Sequence, residues 1–170
     1  MNKIILLIAL TVTSMVTNAQ SFFDSLEDMD GVDMVVVNKD MFELLSKFGP
    51  DKMKDNEAIQ IFTMIKDLKN LKVFSTDDAI IADKMETMAN SAIKKHNLTE
   101  LMRIKEDDSR VKIYVKSTKN KEYVSEVLMF IKGIDKQTKG ISKSMIVSLT
   151  GNIDINKIAA LADTFTEKNK

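Results

Sequence analysis

The chain has 170 residues, of which 25 are basic and 25 acidic, with one histidine, one proline and neither cysteine nor tryptophan. Without cysteine it can form no disulfide and no thiolate zinc site. The balanced charge argues against nucleic acid as the main partner, because domains that bind nucleic acid carry a basic excess or a basic patch. A single histidine and the lack of tryptophan also make a poor inventory for acid–base chemistry or for stacking on sugars.

A cleavable secretory signal is predicted over residues 1–19. Lys3 precedes an unbroken apolar run over residues 4–10, and the small residues Thr17 and Ala19 stand at the two positions that a signal peptidase reads. The run is too short for a membrane-spanning helix, which needs about 20 apolar residues. We therefore expect cleavage between Ala19 and Gln20. Because no cysteine follows the cut, the product is expected to be free in the periplasm or outside the cell, without a lipid anchor.

Strand and helix patterns alternate in the first half of the remaining chain. The predicted strands are residues 32–37 and 71–75, and the predicted helices follow Asn38, span residues 55–69 and span about residues 78–95. The positions predicted to face the core are Met41, Leu44, Leu45 and Phe48 in the first helix, Ala58, Ile61, Phe62, Ile65 and Leu68 in the second, and Ile81, Met85, Met88, Ala92 and additionally Ala89 in the third. Thr76 or Asp77 is predicted to cap the third helix, and Asn97 to end it.

Short strands with brief connections dominate the second half. The predicted strands are residues 98–105, 111–116, 123–132 and 144–150, separated by turns or loops at residues 107–109, 118–121 and 133–140, with a further turn at Gly151 and Asn152. The side chains predicted to point inward are Val111, Ile113, Val115, Met145, Val147 and Leu149. A last helix is predicted with Asp154 or Asn156 as its cap and with Ile155 or Ile158, Leu161, Ala162 and Phe165 on its apolar face.

This order of elements predicts a single α+β domain over residues 20–170. We expect an antiparallel β-sheet, made of a meander of about four strands in the second half plus one or two N-terminal strands, with helices packed on one face. Lys112, Tyr114 and Lys116 would then face water on the other side of the alternating strand.

Three stretches of the second half carry a family resemblance. They are Ile-Tyr-Val-Lys at residues 113–116, Glu-Val-Leu-Met at residues 126–129, and Val-Ser-Leu-Thr-Gly-Asn-Ile-Asp at residues 147–154 before an apolar helix. With the Leu-Lys-Val-Phe of residues 71–74, this pattern resembles the family called domain of unknown function 4252, exported proteins found mainly in Bacteroidetes. The resemblance implies a fold and a compartment, but it brings no catalytic residue to this sequence.

Metal sites fail on inspection of the sequence. In the acidic segment of residues 24–31, setting Gly31 at loop position 6 of a helix–loop–helix calcium site puts Leu26 and Val37 at ligand positions, which excludes that motif. Met85 and Met88 lie close on one helical face, but methionine is more often a flexible core residue than a copper ligand. His96 follows two lysines at a helix end and is interpreted as a surface residue there.

Catalytic and charged patterns are equally weak. A Ser-x-x-Lys stretch occurs at residues 91–94, but in the middle of a helix, where a reactive serine is not expected. Two pairs of adjacent aspartates, at residues 77–78 and 107–108, could in principle act as acid–base groups. We interpret them as a helix cap and a turn, where aspartate is favoured because it hydrogen-bonds to its own backbone. Four lysines suggest either a solvated sheet face, which we favour, or a surface for anionic envelope polymers or lipid head groups: Lys112, Lys116, Lys119 and Lys121.

We therefore predict a non-enzymatic, exported binding, structural or regulatory protein of the cell envelope. It would act without cofactor or metal, through the exposed face of the meander or through the edge strand of the meander. Its partner would be an unknown protein or envelope component, with no nucleic acid and no stable membrane anchor. The alternatives are a small-ligand carrier and an enzyme whose site is assembled from residues distant in sequence.

Overall fold

A computed structural model describes residues 22–47, 67–106, 109–133, 143–156 and 158. Four predictions lie wholly or mostly outside these ranges: the secretory signal, its cleavage between Ala19 and Gln20, the helix at residues 55–69 and the last helix. The described elements are α1 (Asp24–Glu27), β1 (Asp33–Asn38), α2 (Lys39–Lys47), β2 (Leu68–Thr76), α3 (Ala79–His96), β3 (Thr99–Glu106), β4 (Ser109–Ser117), β5 (Tyr123–Lys132) and β6 (Ser144–Asp154). The division into a signal and a single domain stays a prediction.

The strands form one antiparallel sheet in the order β1-β2-β6-β5-β4-β3. The last four strands are neighbours in sequence order and make the meander that the alternating pattern predicts. β2 pairs with β6, the last strand that the structure describes, and β1 pairs with β2. The chain is therefore α+β, with two N-terminal strands added to the free side of the meander.

Both faces of the sheet carry a core, and the prediction of helices on one face is wrong. On β5, Val127, Met129 and Ile131 point to one side, whereas Leu128 and Phe130 point to the other, and all five are buried. The first side, which we call the α2-side core, includes residues of β4, β6 and α2. The second, the α3-side core, includes residues of α1 and α3. A strand buried on both faces must be apolar at successive positions.

The two cores also change the expectations for neighbouring strands. Ile113 and Val115 of β4 are buried as predicted, but Tyr114 between them is half-buried against the α3-side core and does not face open water. On β6, Leu149 is buried as predicted, and Ile146 is fully buried on the opposite face.

Local chemistry explains the ends of α3. Asp78, and not Thr76 or Asp77, caps the helix: its Oδ1 accepts hydrogen bonds from the N–H groups of Ile80 at 2.7 Å and Ile81 at 3.0 Å. Those backbone bonds, to Ile81 first, hold the pKa of the Asp78 carboxyl below its ordinary value. At the other end Asn97 adopts the left-handed conformation with φ of 54°, so the predicted stop is confirmed.

The helix stripes are partly displaced from their predicted positions. On α3, Met85, Ala89 and Ala92 are buried as predicted, together with Ala82, while Ile81 and Met88 are half-buried. On α2 the prediction is wrong, because Phe42 is buried and both Met41 and Leu44 are about half exposed. The Leu45 side chain and Phe48 lie outside the described residues.

Two predicted boundaries are also wrong. Leu68 and Lys69 begin β2 and do not end a helix. Gly151 and Asn152 do not turn the chain: β6 continues through them to Asp154, beside the irregular start of β2, where the register shifts between Leu68 and Asn70. Helical residues follow the strand directly at 155–156, and Oδ1 of Asp154 accepts the N–H of Asn156 at 2.9 Å, as expected for the predicted cap.

Candidate functional site

The sheet ends on β1, whose outer side pairs with no other strand among the residues that the structure describes. Three consecutive apolar side chains of β1 are exposed: Met34 by 49%, Val35 by 55% and Val36 by 43%. An edge strand offers a row of backbone N–H and C=O groups that a further strand can pair with. We call the outer side of Asp33–Asn38 the β1 edge, and it is the strongest candidate for a binding surface.

The β1 edge is apolar on both faces of the sheet. In the register with β2, Met34 and Val36 share the face of the α3-side core, whereas Val35 lies on the face of the α2-side core. The only charged residue of the strand is its first, Asp33. A half-solvated strand normally exposes polar side chains on its wet face, so this composition is unusual for an edge that meets only water.

The lysine beside the β1 edge is held by carboxylates of α1. Lys72 on β2 lies opposite Val36, and its Nζ lies 3.1 Å from Oδ1 of Asp24 and 2.5 Å from Oε1 of Glu27. Burial lowers the pKa of this ammonium, but the hydrogen bonds that it donates to Glu27 and Asp24 outweigh burial and raise the pKa. The charge of Lys72 is thus neutralised by two carboxylates of α1, so Lys72 adds no unpaired charge beside β1.

The helix that directly follows β1 in the chain also exposes apolar side chains. α2 begins at the residue after β1 and packs on β1 and β2 through contacts that include the buried Phe42. Met41 and Leu44 are about half exposed on the same helix. Five exposed large apolar side chains therefore fall within residues 34–44.

The opposite edge of the sheet, β3, has a different character. Its sequence includes Glu100, Arg103 and Lys105, and Nη2 of Arg103 lies 2.6 Å from Oε2 of Glu100. Leu101 is its one large apolar side chain with more than a third exposed, at 38%. Charged side chains on an edge strand discourage pairing with another chain. Of the two edge strands that the structure describes, β1 is the less protected, because its single charge lies at its first residue.

A shallow groove follows the outer side of α3. It has a volume of about 500 Å³ and is lined by Met29, Ile80, Asp83, Lys84, Thr87 and Met88. Asp83 is in an ion pair with Lys132 at 3.0 Å, and Glu86 binds the same ammonium at 2.8 Å. The groove thus offers mainly apolar contact, and the acids near it are already matched by a lysine.

His96 has a partner that the sequence did not suggest. Its Nδ1 lies 2.6 Å from Oε1 of Glu126 on β5, and its ring packs nearly perpendicular to that of Phe22, with 6.3 Å between centroids. A histidine held by a carboxylate is one element of acid–base sites. Here the pair joins the C-terminal end of α3 to the sheet. The two residues are 30 positions apart, so no local motif could have revealed the contact.

The other sequence candidates have structural partners. Met85 is fully buried, in agreement with a core role, and Met88 lies 4.0 Å from the hydroxyl of Ser25. The hydroxyl of Ser91 donates to the carbonyl of Thr87 at 2.9 Å, as expected for a serine within a helix. Within the described residues no group of three or more His, Asp or Glu side chains is placed to hold a metal ion.

The four lysines do not form one compact patch. Lys112 and Lys116 lie on β4, where Lys112 is half-buried and Lys116 lies opposite Glu126 on β5. Lys119 and Lys121 are exposed in the turn between β4 and β5. The interpretation of a solvated sheet face therefore holds only in part: Lys116 is exposed, but Lys112 is half-buried, and Tyr114 between them packs on the α3-side core.

Comparison with known proteins gives a family but no activity. Residues 23–161 match the profile of the family described as a domain of unknown function (DUF4252). Neither the curated proteins nor the solved structures include a match to the chain. In the described part of the chain, no helix is both long enough and apolar enough to cross a membrane.

Proposed function

The chain belongs to the DUF4252 family, described only as a domain of unknown function, and we propose that it is a non-enzymatic binding or structural protein that accepts an additional β-strand at the β1 edge. The observation that carries this proposal is the run of three exposed apolar side chains on an edge strand, Met34, Val35 and Val36. Strand addition supplies backbone hydrogen bonds along the edge, while the alternating side chains supply apolar contact on both faces.

The remaining surfaces support a binding role over catalysis. The groove on α3 is shallow and mainly apolar, whereas an enzyme site gathers titratable groups around a reacting atom. The His96–Glu126 pair lies in a contact between helix and sheet that also includes the ring of Phe22. Both features are accounted for by packing.

We also propose that the protein is exported to the periplasm or beyond, without a lipid anchor. The charged start, the apolar run over residues 4–10 and the small residues at 17 and 19 support export, and the lack of cysteine supports a free product. N-terminal sequencing of the protein recovered outside the cytoplasm is expected to begin at Gln20. Recovery of a chain that begins at Met1 would refute cleavage.

Site-specific photo-crosslinking tests the binding role. A photoreactive residue placed at Val36 in the full chain, in the cells that produce it, is expected to give covalent adducts at least about threefold more abundantly than the same residue at Leu101. The reason is that an added strand lies within about 5 Å of every edge residue. Adducts are quantified by immunoblot and identified by mass spectrometry.

Leu101 is the matched control, because it is an apolar residue of similar exposure on the charged edge strand β3. Equal adduct yields at the two positions, or none at either, would overturn the proposed docking at the β1 edge, whatever the identity of the captured molecules.

A further inference from the structure

We propose that the strand added at the β1 edge comes from a second copy of the chain, which pairs antiparallel with β1 across a two-fold axis beside Val36. This inference rests on the proposed function, because it names the occupant of the same edge. The two six-stranded sheets would then form one continuous sheet through both copies.

The symmetry of an antiparallel pair limits where the axis can lie. Residues that face each other across such a pair either both point their backbone groups at the partner or both point them away. For two identical strands this requires pairs of residues whose numbers differ by an even count, so the axis passes beside a residue. With the axis at Val36, Val35 lies opposite Val37, and Met34 lies opposite Asn38.

Charge decides the direction and the position of the axis. Asp33 is the only charged residue of β1, and Lys39 follows the strand at its other end. In a parallel pair in register, Asp33 of each copy would lie beside Asp33 of the other, which is unfavourable. In the antiparallel pair centred on Val36, Asp33 of each copy lies beside Lys39 of the other. The Lys39 ammonium pairs with Glu43 of its own helix at 3.0 Å, but the two side chains are 65% and 59% exposed, so the ammonium can also reach a carboxylate of a neighbouring chain.

Apolar contact favours the same arrangement. Val36 meets its own copy on the face of the α3-side core, and Met34 flanks it on that face. Val35 meets Val37 on the opposite face, where Val37 is half-buried against the α2-side core. Pairing therefore removes water from all three exposed side chains of β1 at once, and no two like charges of the strand face each other.

The lack of cysteine makes a direct test practical, because one introduced cysteine is the only thiol. Residues opposite each other in an antiparallel pair have Cα atoms about 4.5–5.5 Å apart, within the range of about 4.4–6.8 Å that a disulfide bridges. We expect purified V36C to form an interchain disulfide under mild oxidation at least about tenfold faster than L101C. L101C is a control of comparable exposure on the other edge.

Sedimentation equilibrium measures the pairing without a covalent link. V36K puts two ammonium groups beside the axis, so we expect the dissociation constant of the dimer to rise at least about tenfold, while L101K leaves it unchanged. Val36 is 43% exposed at an edge, so V36K is expected to remain folded. Far-UV circular dichroism and thermal unfolding of each variant verify this.

Three outcomes would overturn the second copy as occupant. A wild-type dimer that V36K leaves intact uses another surface. A wild-type protein that stays monomeric, but that crosslinks to a different protein from position 36 in cells, keeps the proposed function and replaces the partner. A monomer that forms no crosslinks at position 36 would contradict both strand addition at the β1 edge and the second copy as its occupant. A V36K-sensitive dimer with fast V36C coupling supports the inference.

Discussion

Replacing Phe74 by alanine is expected to lower the free energy of unfolding by about 3–5 kcal/mol. Phe74 is fully buried near the C-terminal end of β2, and its ring packs on that of Phe23 with 5.9 Å between centroids. The substitution removes a large apolar side chain and leaves a cavity between α1 and the sheet, which neighbours on two elements can fill only in part. Urea unfolding followed by far-UV circular dichroism measures the change.

Two further variants separate the cavity effect from a general weakness of the strands. Phe74→Leu keeps much of the volume and is expected to cost about half as much or less. Val35→Thr changes a half-exposed residue of the neighbouring strand, and we expect a change within about 0.5 kcal/mol. If Phe74→Ala cost no more than Val35→Thr, the burial of this ring in the α3-side core would be wrong.

Replacing Gly151 by alanine is expected to destabilise the fold by about 2–4 kcal/mol, although only one methyl group is added. Gly151 has a φ of +151°, a conformation that side chains disfavour. A Cβ at this position would lie 2.5 Å from the carbonyl oxygen of Asp67 and 2.8 Å from Cα of Leu68. Both contacts are with backbone, so β6 and the start of β2 would have to separate.

The adjacent Asn152 provides the control for this prediction. Its side chain is exposed, and its backbone N–H donates to the carbonyl of Asp67 at 3.1 Å, a bond that alanine keeps. Asn152→Ala is therefore expected to change the free energy of unfolding by less than about 0.5 kcal/mol. Similar urea midpoints for the two alanine variants would contradict the close approach of the strands at Gly151.

The sequence predicted those elements whose signals are local. β5 spans residues 123–132 as predicted, and Asn97 ends α3, because turn residues and an αL stop act through their nearest neighbours. The Gly-Asn pair at residues 151–152 gives an equally strong local turn signal. Pairing with β2 overrides that signal. The paired strand is some 80 positions away, so a short stretch of sequence around Gly151 cannot indicate it.

Burial on two faces could have been inferred from one stretch. Residues 127–131 are five consecutive apolar residues, which is typical of a strand that is covered on both faces. This run therefore indicates a core on each face of the sheet, and not helices on one face alone. On α2, by contrast, Met41, Phe42 and Leu44 are all apolar, and a helix of nine residues does not specify which of them faces the sheet.

The candidate site was predictable only in kind. The β-branched run at residues 32–37 identifies a strand, but the predicted binding surfaces were the exposed face and the edge strand of the meander, to which β1 does not belong. That β1 is an edge depends on the order of all six strands, which no pattern within β1 encodes. The contact between His96 and Glu126 likewise depends on how α3 lies across β5.

The order of strands also determines when the sheet can be completed during folding. The meander from β3 to β6 assembles from strands that follow one another in the chain, so each pairing closes a short loop. β2 must instead pair with β6, about 80 residues further along the chain, as in the pairing of Leu71 with Leu149. Closing so long a loop is slow relative to local pairing. Until residues 144–151 are in place, β1 and β2 have no sheet to join, so the N-terminal strands are expected to gain protection from hydrogen exchange last.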